Sequence, residues 1–247
     1  MDIQKVIQEN KYFFPYHYIP YFENGYFSQT RNLYWGYEYL SYLGFILDKI
    51  KSLKFDSLLD IGCGEGRFLC EINQKIPGKG LAGIDPSERS VSFAKAFNPG
   101  LEFICGNIQT VNLQKKFDVI TLIEVLEHIR PEETLNFLKA LRDHMDNSGF
   151  LMLSVPSDNM ELNPKHYQHF NARSLKNTLA GIFKIEEIFY LNKKSFKTDI
   201  VSGLLSNRFY VLNNKTLLKI LYSFYLRNLL AASEKNAKRL CAICRPI

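Results

Sequence analysis

With 247 residues, 46% of them apolar, 14% aromatic and 23% charged, the chain is long enough for one elaborated domain and too apolar to be disordered. Fourteen glycines and nine prolines exclude a collagen-like or low-complexity composition, and no repeat recurs at a period of about 20 to 50 residues. The formal charge of +6 is unevenly placed: residues 191–247 hold 11 Lys and Arg against two acids, which leaves the first 190 residues net acidic by three. A nucleic-acid-binding protein often carries its basicity on the main body, so this segregation speaks to partners rather than to chemistry. The five cysteines (Cys63, Cys70, Cys105, Cys241, Cys244) are sparse and odd in number, which points to a reducing compartment. Met1 to Asn10 is polar and runs into an aromatic stretch instead of an aliphatic signal core, and no uncharged apolar run approaches the roughly 20 residues of a spanning helix. A cytoplasmic protein is expected.

Residues 11–45 contain 15 of the 34 aromatics. From about Tyr34 to Lys51 the apolar spacing suits a helix, whereas the earlier part, broken by Pro15, Pro20 and Gly25, predicts an aromatic cap without long regular structure. Such a cap can pack on the domain or cover a substrate pocket. From Leu53 onward, short apolar runs alternate with helical segments: the strands SLLDIG, GLAGID, LEFICG, FDVITLI and GFLMLSVP, and the helices GRFLCEINQKI, SERSVSFAKAF and PEETLNFLKALRDHM, the last with Pro131 in its first turn. This alternation implies right-handed βαβ units on a parallel sheet. FKIEEIFYL (183–191) and RLCAICR (239–245) would add two more strands, with an insertion over about 192–238 that carries the amphipathic stretch TLLKILYSFYLRNLLAAS.

The sharpest motif is LLDIGCGEG, Leu58 to Gly66, between a strand and a helix. Glycines there allow a tight turn and close approach of a ligand to the backbone, beside the unpaired N–H groups that open the helix. The loop lacks the Lys-Ser/Thr of a triphosphate-binding loop; Asp60 precedes the glycines, and Asp85 in GIDPSE ends the next strand, where a carboxylate can accept both hydroxyls of a ribose. With ICGNIQ after the third strand and FDVITLIEVLEHI at the fourth, the chain resembles the class I S-adenosylmethionine-dependent methyltransferases over roughly residues 53–190. The resemblance implies an α/β three-layer sandwich on a mostly parallel seven-stranded sheet, with residues 1–52 as N-terminal cap and helix and 53–247 as the cofactor-binding domain with its helical insertion. It also implies a cofactor site of Asp60, Gly62, Cys63 and Gly64 at the methionine part, Asp85 at the ribose, Pro86, Asn107 and Ile108 at the adenine, and Ile123 at the end of the fourth strand. Many relatives carry Asp where this chain has Asn107, and an amide can still bond the adenine amino group.

Glu124, Glu127 and His128 follow the fourth strand at i, i+3 and i+4, a spacing that one helical turn would bring to one side; His166 and His169 follow the fifth. Glu-x-x-Glu-His with later histidines resembles the divalent-metal set of small-RNA 2′-O-methyltransferases. It equally resembles the EVLEH and H-x-x-x-F elements of ubiquinone-pathway and sugar O-methyltransferases, in which His128 or His169 would take the proton of a hydroxyl. Three readings stay open: a hydrogen-bonded corner that orders the loop, acid–base work by His128, Glu127 and His169, and metal binding. Tyr34 or Trp35 could face a sulfonium through cation–π attraction, against ordinary core packing.

The CxxC of Cys241 and Cys244 lacks a second pair for zinc and predicts an apolar edge strand whose thiols face different sides. Cys63 suits small filler better than a nucleophile. The insertion suits a helix covering the sheet, a homodimer interface, a basic–apolar element at a membrane surface or, last of these, a nucleic-acid docking element. The expected activity is transfer of a methyl group from S-adenosylmethionine to a hydroxyl of a small molecule or sugar, in surface-glycan or lipid-linked assembly. The alternatives are a metal-dependent RNA 2′-O-methyltransferase and a non-catalytic cofactor-binding partner.

Overall fold

The computed structural model describes residues 3, 4, 6, 22, 23, 26, 27 and 33–247 except 208. Most of the expected aromatic cap, and with it the lid reading, lies outside the described residues. Within it, Phe22–Glu23 pairs antiparallel with Tyr26–Phe27. The helical spacing after Tyr34 is realised as α1, Leu33–Lys51.

The apolar runs become β1 (Ser57–Ile61), β2 (Gly80–Asp85), β3 (Glu102–Cys105), β4 (Phe117–Ile123), β5 (Met145–Pro156), β6 (Phe183–Lys193) and β7 (Ala237–Pro246). They form one seven-stranded sheet in the order β3-β2-β1-β4-β5-β7-β6. Every pairing is parallel except those of β7, which runs antiparallel to both β5 and β6. The Cys241–Cys244 strand is therefore interior, a correction to the edge-strand expectation. Its run of consecutive apolar residues is what a strand buried on both faces requires. Cys241 and Cys244 do enter opposite layers, one in each apolar cluster below.

The intervening segments are α2 (Arg67–Lys75), α3 (Glu88–Phe97), α4 (Thr134–Asp143) and α5 (Ala172–Leu179). α4 begins after Pro131, which sits in the preceding turn and not in the first helical turn. One face of the sheet is covered by α1, α2 and α3 through Tyr42, Ile46, Ile50, Phe68, Leu69, Ile72, Val91 and Ala94. The other is covered by α4 and α5 through Phe137, Leu138, Leu141, Leu175 and Leu179. At about 1.5–3 kcal/mol per fully buried aliphatic side chain, each layer brings a gross gain on the order of 10 kcal/mol before chain entropy is counted. The insertion is two further helices, α6 (Phe196–Leu205) and α7 (Lys215–Asn228), capped by Ser195 and Asn214. They dock on α1 through a third cluster of Tyr34, Tyr37, Val201, Leu205, Tyr225 and Leu229.

The parallel strands all end on one edge. The chain leaves β1 toward β2 and β3 on one side, then returns to β4 on the other, so the crevice between the ends of β1 and β4 is the switch point where doubly wound sheets bind ligands.

Candidate active site

The β1 end is shaped by three left-handed glycines, Gly62 (φ 72°), Gly64 (φ 55°) and Gly66 (φ 78°). At Gly62 a side chain is excluded twice over, because a Cβ there would fall inside the Val125 side chain from the β4 loop. The loop is fixed by backbone: Gly62 and Cys63 N–H both donate to the Ile84 carbonyl at 2.8 and 3.1 Å. Gly64 N–H donates to Asp85 Oδ2 at 3.0 Å, and Ser87 N–H to Asp85 Oδ1 at 2.9 Å. Asp85 thus buttresses the glycine turn from the end of β2. Burial pushes the Asp60 carboxyl up to about 7, against the Thr121 hydroxyl that donates to it at 2.6 Å and with Asp85 nearby adding repulsion. Cys63 is buried against Gly83, and burial raises its thiol further, which suits filler and not a nucleophile.

Beyond β3, Ile108 is buried in the core, whereas the exposed Asn107 folds its amide onto Gln109, accepting its N–H at 3.0 Å. Pro86 is exposed beside Asp85, and Ile123 is half-buried at the β4 end. Tyr34 packs on Tyr225 with the Lys238 ammonium, from the start of β7, over its ring; Trp35 is exposed and stacks on Tyr39 at 4.9 Å.

After β4 the structure departs from a helical turn. Glu124 is left-handed (φ 55°), and only Leu126–His128 forms a turn of 3-10 helix. Glu124 is consequently split from its neighbours: its carboxylate accepts from Ser154 Oγ at 3.0 Å and from Arg239 Nε at 3.1 Å. Glu127 and His128 meet His166. Glu127 is 1% exposed with no hydrogen-bond partner for either oxygen among the described residues. Burial, with Glu124 adding repulsion, holds its carboxyl well above the ordinary range.

The histidines are oriented by backbone carbonyls. His128 Nδ1 lies 3.0 Å from the Lys165 carbonyl, which only accepts, so that nitrogen carries the proton and Nε2 is the lone-pair nitrogen of the neutral ring. His128 Nε2 is 3.9 Å from Glu127 Oε1. His169 Nδ1 likewise donates to the Met160 carbonyl at 3.2 Å, so its Nε2 accepts from His166 Nδ1 at 2.9 Å. The lone-pair nitrogen of His166 is therefore Nε2. Donor atoms of Glu127, His128 and His166 lie within 4.8 Å of one another. A carboxylate and two imidazoles suit a divalent cation, and these three residues could hold one; Glu124 and His169, the other members of the expected set, are engaged elsewhere. Gln4 Nε2 donates to the His166 carbonyl at 3.2 Å, bringing the start of the chain to this cluster. Sequence reasoning missed Thr121, Ser154 and Arg239. The available signals were a polar residue inside the apolar run FDVITLI and an arginine opening LCAIC.

Residues 31–188 match the methyltransferase domain family. The chain belongs to this methyltransferase family, and its fold is that of the class I methyltransferases. The chain is 30% identical over 166 residues to the mitochondrial ubiquinone biosynthesis O-methyltransferase of Schizosaccharomyces pombe, covering 64% of this chain and 56% of that protein. It is 32% identical over 124 residues to the small RNA 2′-O-methyltransferase of the same yeast, covering 43% and 32%. The fold superposes on the N-methyltransferase NodS of Bradyrhizobium japonicum in complex with S-adenosyl-L-homocysteine with a TM-score of 0.58 at 15% identity, covering 84% and 86%. The methyltransferase thus spans little more than half of the ubiquinone enzyme's length. The crevice offers a glycine turn closed to a side chain at Gly62 and Gly66, and a buried carboxyl that a cation would ionise.

Proposed function

We propose that this methyltransferase transfers its methyl group to a hydroxyl of a small molecule or sugar, with His128 as the base. The observation that carries the reading is the convergence of His128 Nε2 and the buried Glu127 carboxyl at 3.9 Å, one turn beyond the end of β4. S-adenosyl-L-methionine, when bound, supplies a methyl already activated on a sulfonium. The chain's tasks are then to hold the nucleophile in line and take its proton. His128 takes the hydroxyl proton on Nε2, while the Lys165 carbonyl fixes the ring and stabilises the imidazolium through Nδ1–H. The imidazolium that forms beside Glu127 favours the ionised form of that carboxyl, which burial otherwise disfavours. His169 is a positioning residue, acting through His166. Asp60 and the Gly62–Gly64 loop hold the amino-acid part of the cofactor, Asp85 the ribose, and Pro86, Asn107, Ile108 and Ile123 the remaining wall. The kinship with the ubiquinone enzyme supports a hydroxyl acceptor.

The test is release of S-adenosylhomocysteine with a panel of phenolic and sugar hydroxyl acceptors. His128→Ala is expected to lower turnover by at least about 100-fold while calorimetric affinity for S-adenosylhomocysteine stays within threefold or so. Undiminished turnover on an accepted substrate would remove His128 from this role.

A second reading rests on the three donors within 4.8 Å. Glu127, His128 and His166 would hold a divalent cation that polarises a ribose 2′-hydroxyl, in keeping with the kinship to the small-RNA enzyme. Turnover on an RNA 3′ end that collapses with EDTA and returns with Mn²⁺ favours this reading; turnover indifferent to EDTA excludes it.

A further inference from the structure

The α6–α7 excursion presents a concentration of exposed apolar side chains. α6 buries Thr198, Val201 and Leu205 and turns Phe196, Ile200 and Leu204 outward at i, i+4 and i+8. α7 buries Tyr225 and exposes Leu217, Ile220 and Phe224. In the connecting loop Phe209 is 94% exposed, and it is held so: the Asn207 side chain accepts from the N–H groups of both Phe209 and Tyr210, at 2.9 and 3.1 Å. Isolated exposed apolar residues are ordinary, but this concentration within one excursion marks a contact surface.

The charges around it have one sign. Between Lys193 and Arg227 the described residues include Lys193, Lys194, Lys197, Lys215, Lys219 and Arg227 against the single acid Asp199. A second copy docking face to face would bring these cations together, since a two-fold interface sets a patch against itself. An anionic bilayer answers both features: its headgroups meet the lysines while phenylalanine, leucine and tyrosine enter the boundary.

The excursion is also placed at the crevice. β6 and β5 are both antiparallel to β7, so β6 runs parallel to β5 and delivers the excursion at the edge where β1 and β4 end. A hydrogen-bond chain joins the two: Asn192 Nδ2 donates to the Tyr225 hydroxyl at 2.9 Å, Arg239 to Asn192 Oδ1 at 3.4 Å, and Arg239 to Glu124 at 3.1 Å.

We propose that α6, α7 and the loop between them dock the protein on an anionic lipid surface, with the β1–β4 crevice beside the membrane boundary. That the acceptor is then an apolar, membrane-resident hydroxyl compound rests on the methyl-transfer reading above; the docking does not. The experiment is flotation of the full chain with vesicles of phosphatidylcholine, alone or mixed with phosphatidylglycerol, with no acceptor present. Binding at least tenfold tighter to the mixed vesicles, weakened by salt, is expected. Lys215→Glu/Lys219→Glu and Phe209→Ser/Ile220→Ser, all at exposed positions, should each reduce it by about tenfold or more and leave calorimetric binding of S-adenosylhomocysteine unchanged. Absence of binding to mixed vesicles, or binding indifferent to both double variants, would overturn the proposal. So would a concentration-dependent dimer, seen by sedimentation, that Phe209→Ser/Ile220→Ser dissolves.

Discussion

Burial holds the Asp60 carboxyl far from its ordinary titration range. Its carboxyl sits at about 7 in the fold against 3.8 for the free group. Between about pH 4 and 7 the folded state therefore keeps a proton that the unfolded chain has released, and stability falls as pH rises through that window. Asp60→Asn keeps an acceptor for Thr121 and removes the titration, so urea midpoints of the variant should be flatter with pH and exceed the wild type's above neutrality. A wild-type curve as flat as the variant's would show the carboxyl to be ordinary. Under the proposed cofactor placement, a cation beside Asp60 favours the ionised form. Binding near pH 7 should then release protons, seen as a buffer-dependent heat in calorimetry and absent in Asp60→Asn. Asp85→Ala should weaken S-adenosylmethionine binding about tenfold or more, because a buried ribose loses a charged partner and the glycine turn loses its anchor. Unchanged affinity would move the ribose elsewhere.

At the scale of elements, the β4 loop is held open by a neighbour 115 residues away. Glu124 adopts a left-handed backbone that only a few non-glycine residues share, and Arg239 from β7 with Ser154 from β5 secures its carboxylate. Arg239→Ala leaves a part-buried carboxylate short of its cation and should cost roughly 2–4 kcal/mol in urea unfolding, with Arg239→Ala/Glu124→Gln recovering a share of it. A loss below about 0.5 kcal/mol would make the pair ornamental. The same loop marks where sequence reading stops. The strands, the glycine turn and Asp85 were legible, because period, turn chemistry and strand-end acids are local. The i, i+3, i+4 spacing of Glu124, Glu127 and His128 was misleading, since a long-range ion pair reverses Glu124 and no local propensity records Arg239. Likewise CAIC showed its two-faced burial but not its place between β5 and β6, which depends on the antiparallel return of the last strand. The pairing of His166 with His169 follows from carbonyls that fix the ring protons, a detail of the folded loop.

For the whole molecule, the crevice joins elements from β1 to β7, so ligand occupancy should register in global unfolding and not in a local segment. The glycine loop meets the β4 loop through Val125, and β4 meets β7 through Glu124 and Arg239. A ligand that needs this arrangement binds the folded state alone. At a free concentration 100 times its Kd it adds about 2.7 kcal/mol, which for a chain of this length raises Tm by about 5–10 °C. With affinity cut tenfold by Asp85→Ala, the same concentration is only about ten times Kd and adds about 1.4 kcal/mol, so the rise should fall to about half. His128→Ala, beyond the cofactor, should keep the full rise while losing turnover. Thermal scans of the three proteins with S-adenosylhomocysteine thus separate the two sides of the crevice. Equal shifts in wild type and Asp85→Ala would contradict the ribose assignment, and a halved shift in His128→Ala would place that ring in cofactor binding instead of proton transfer.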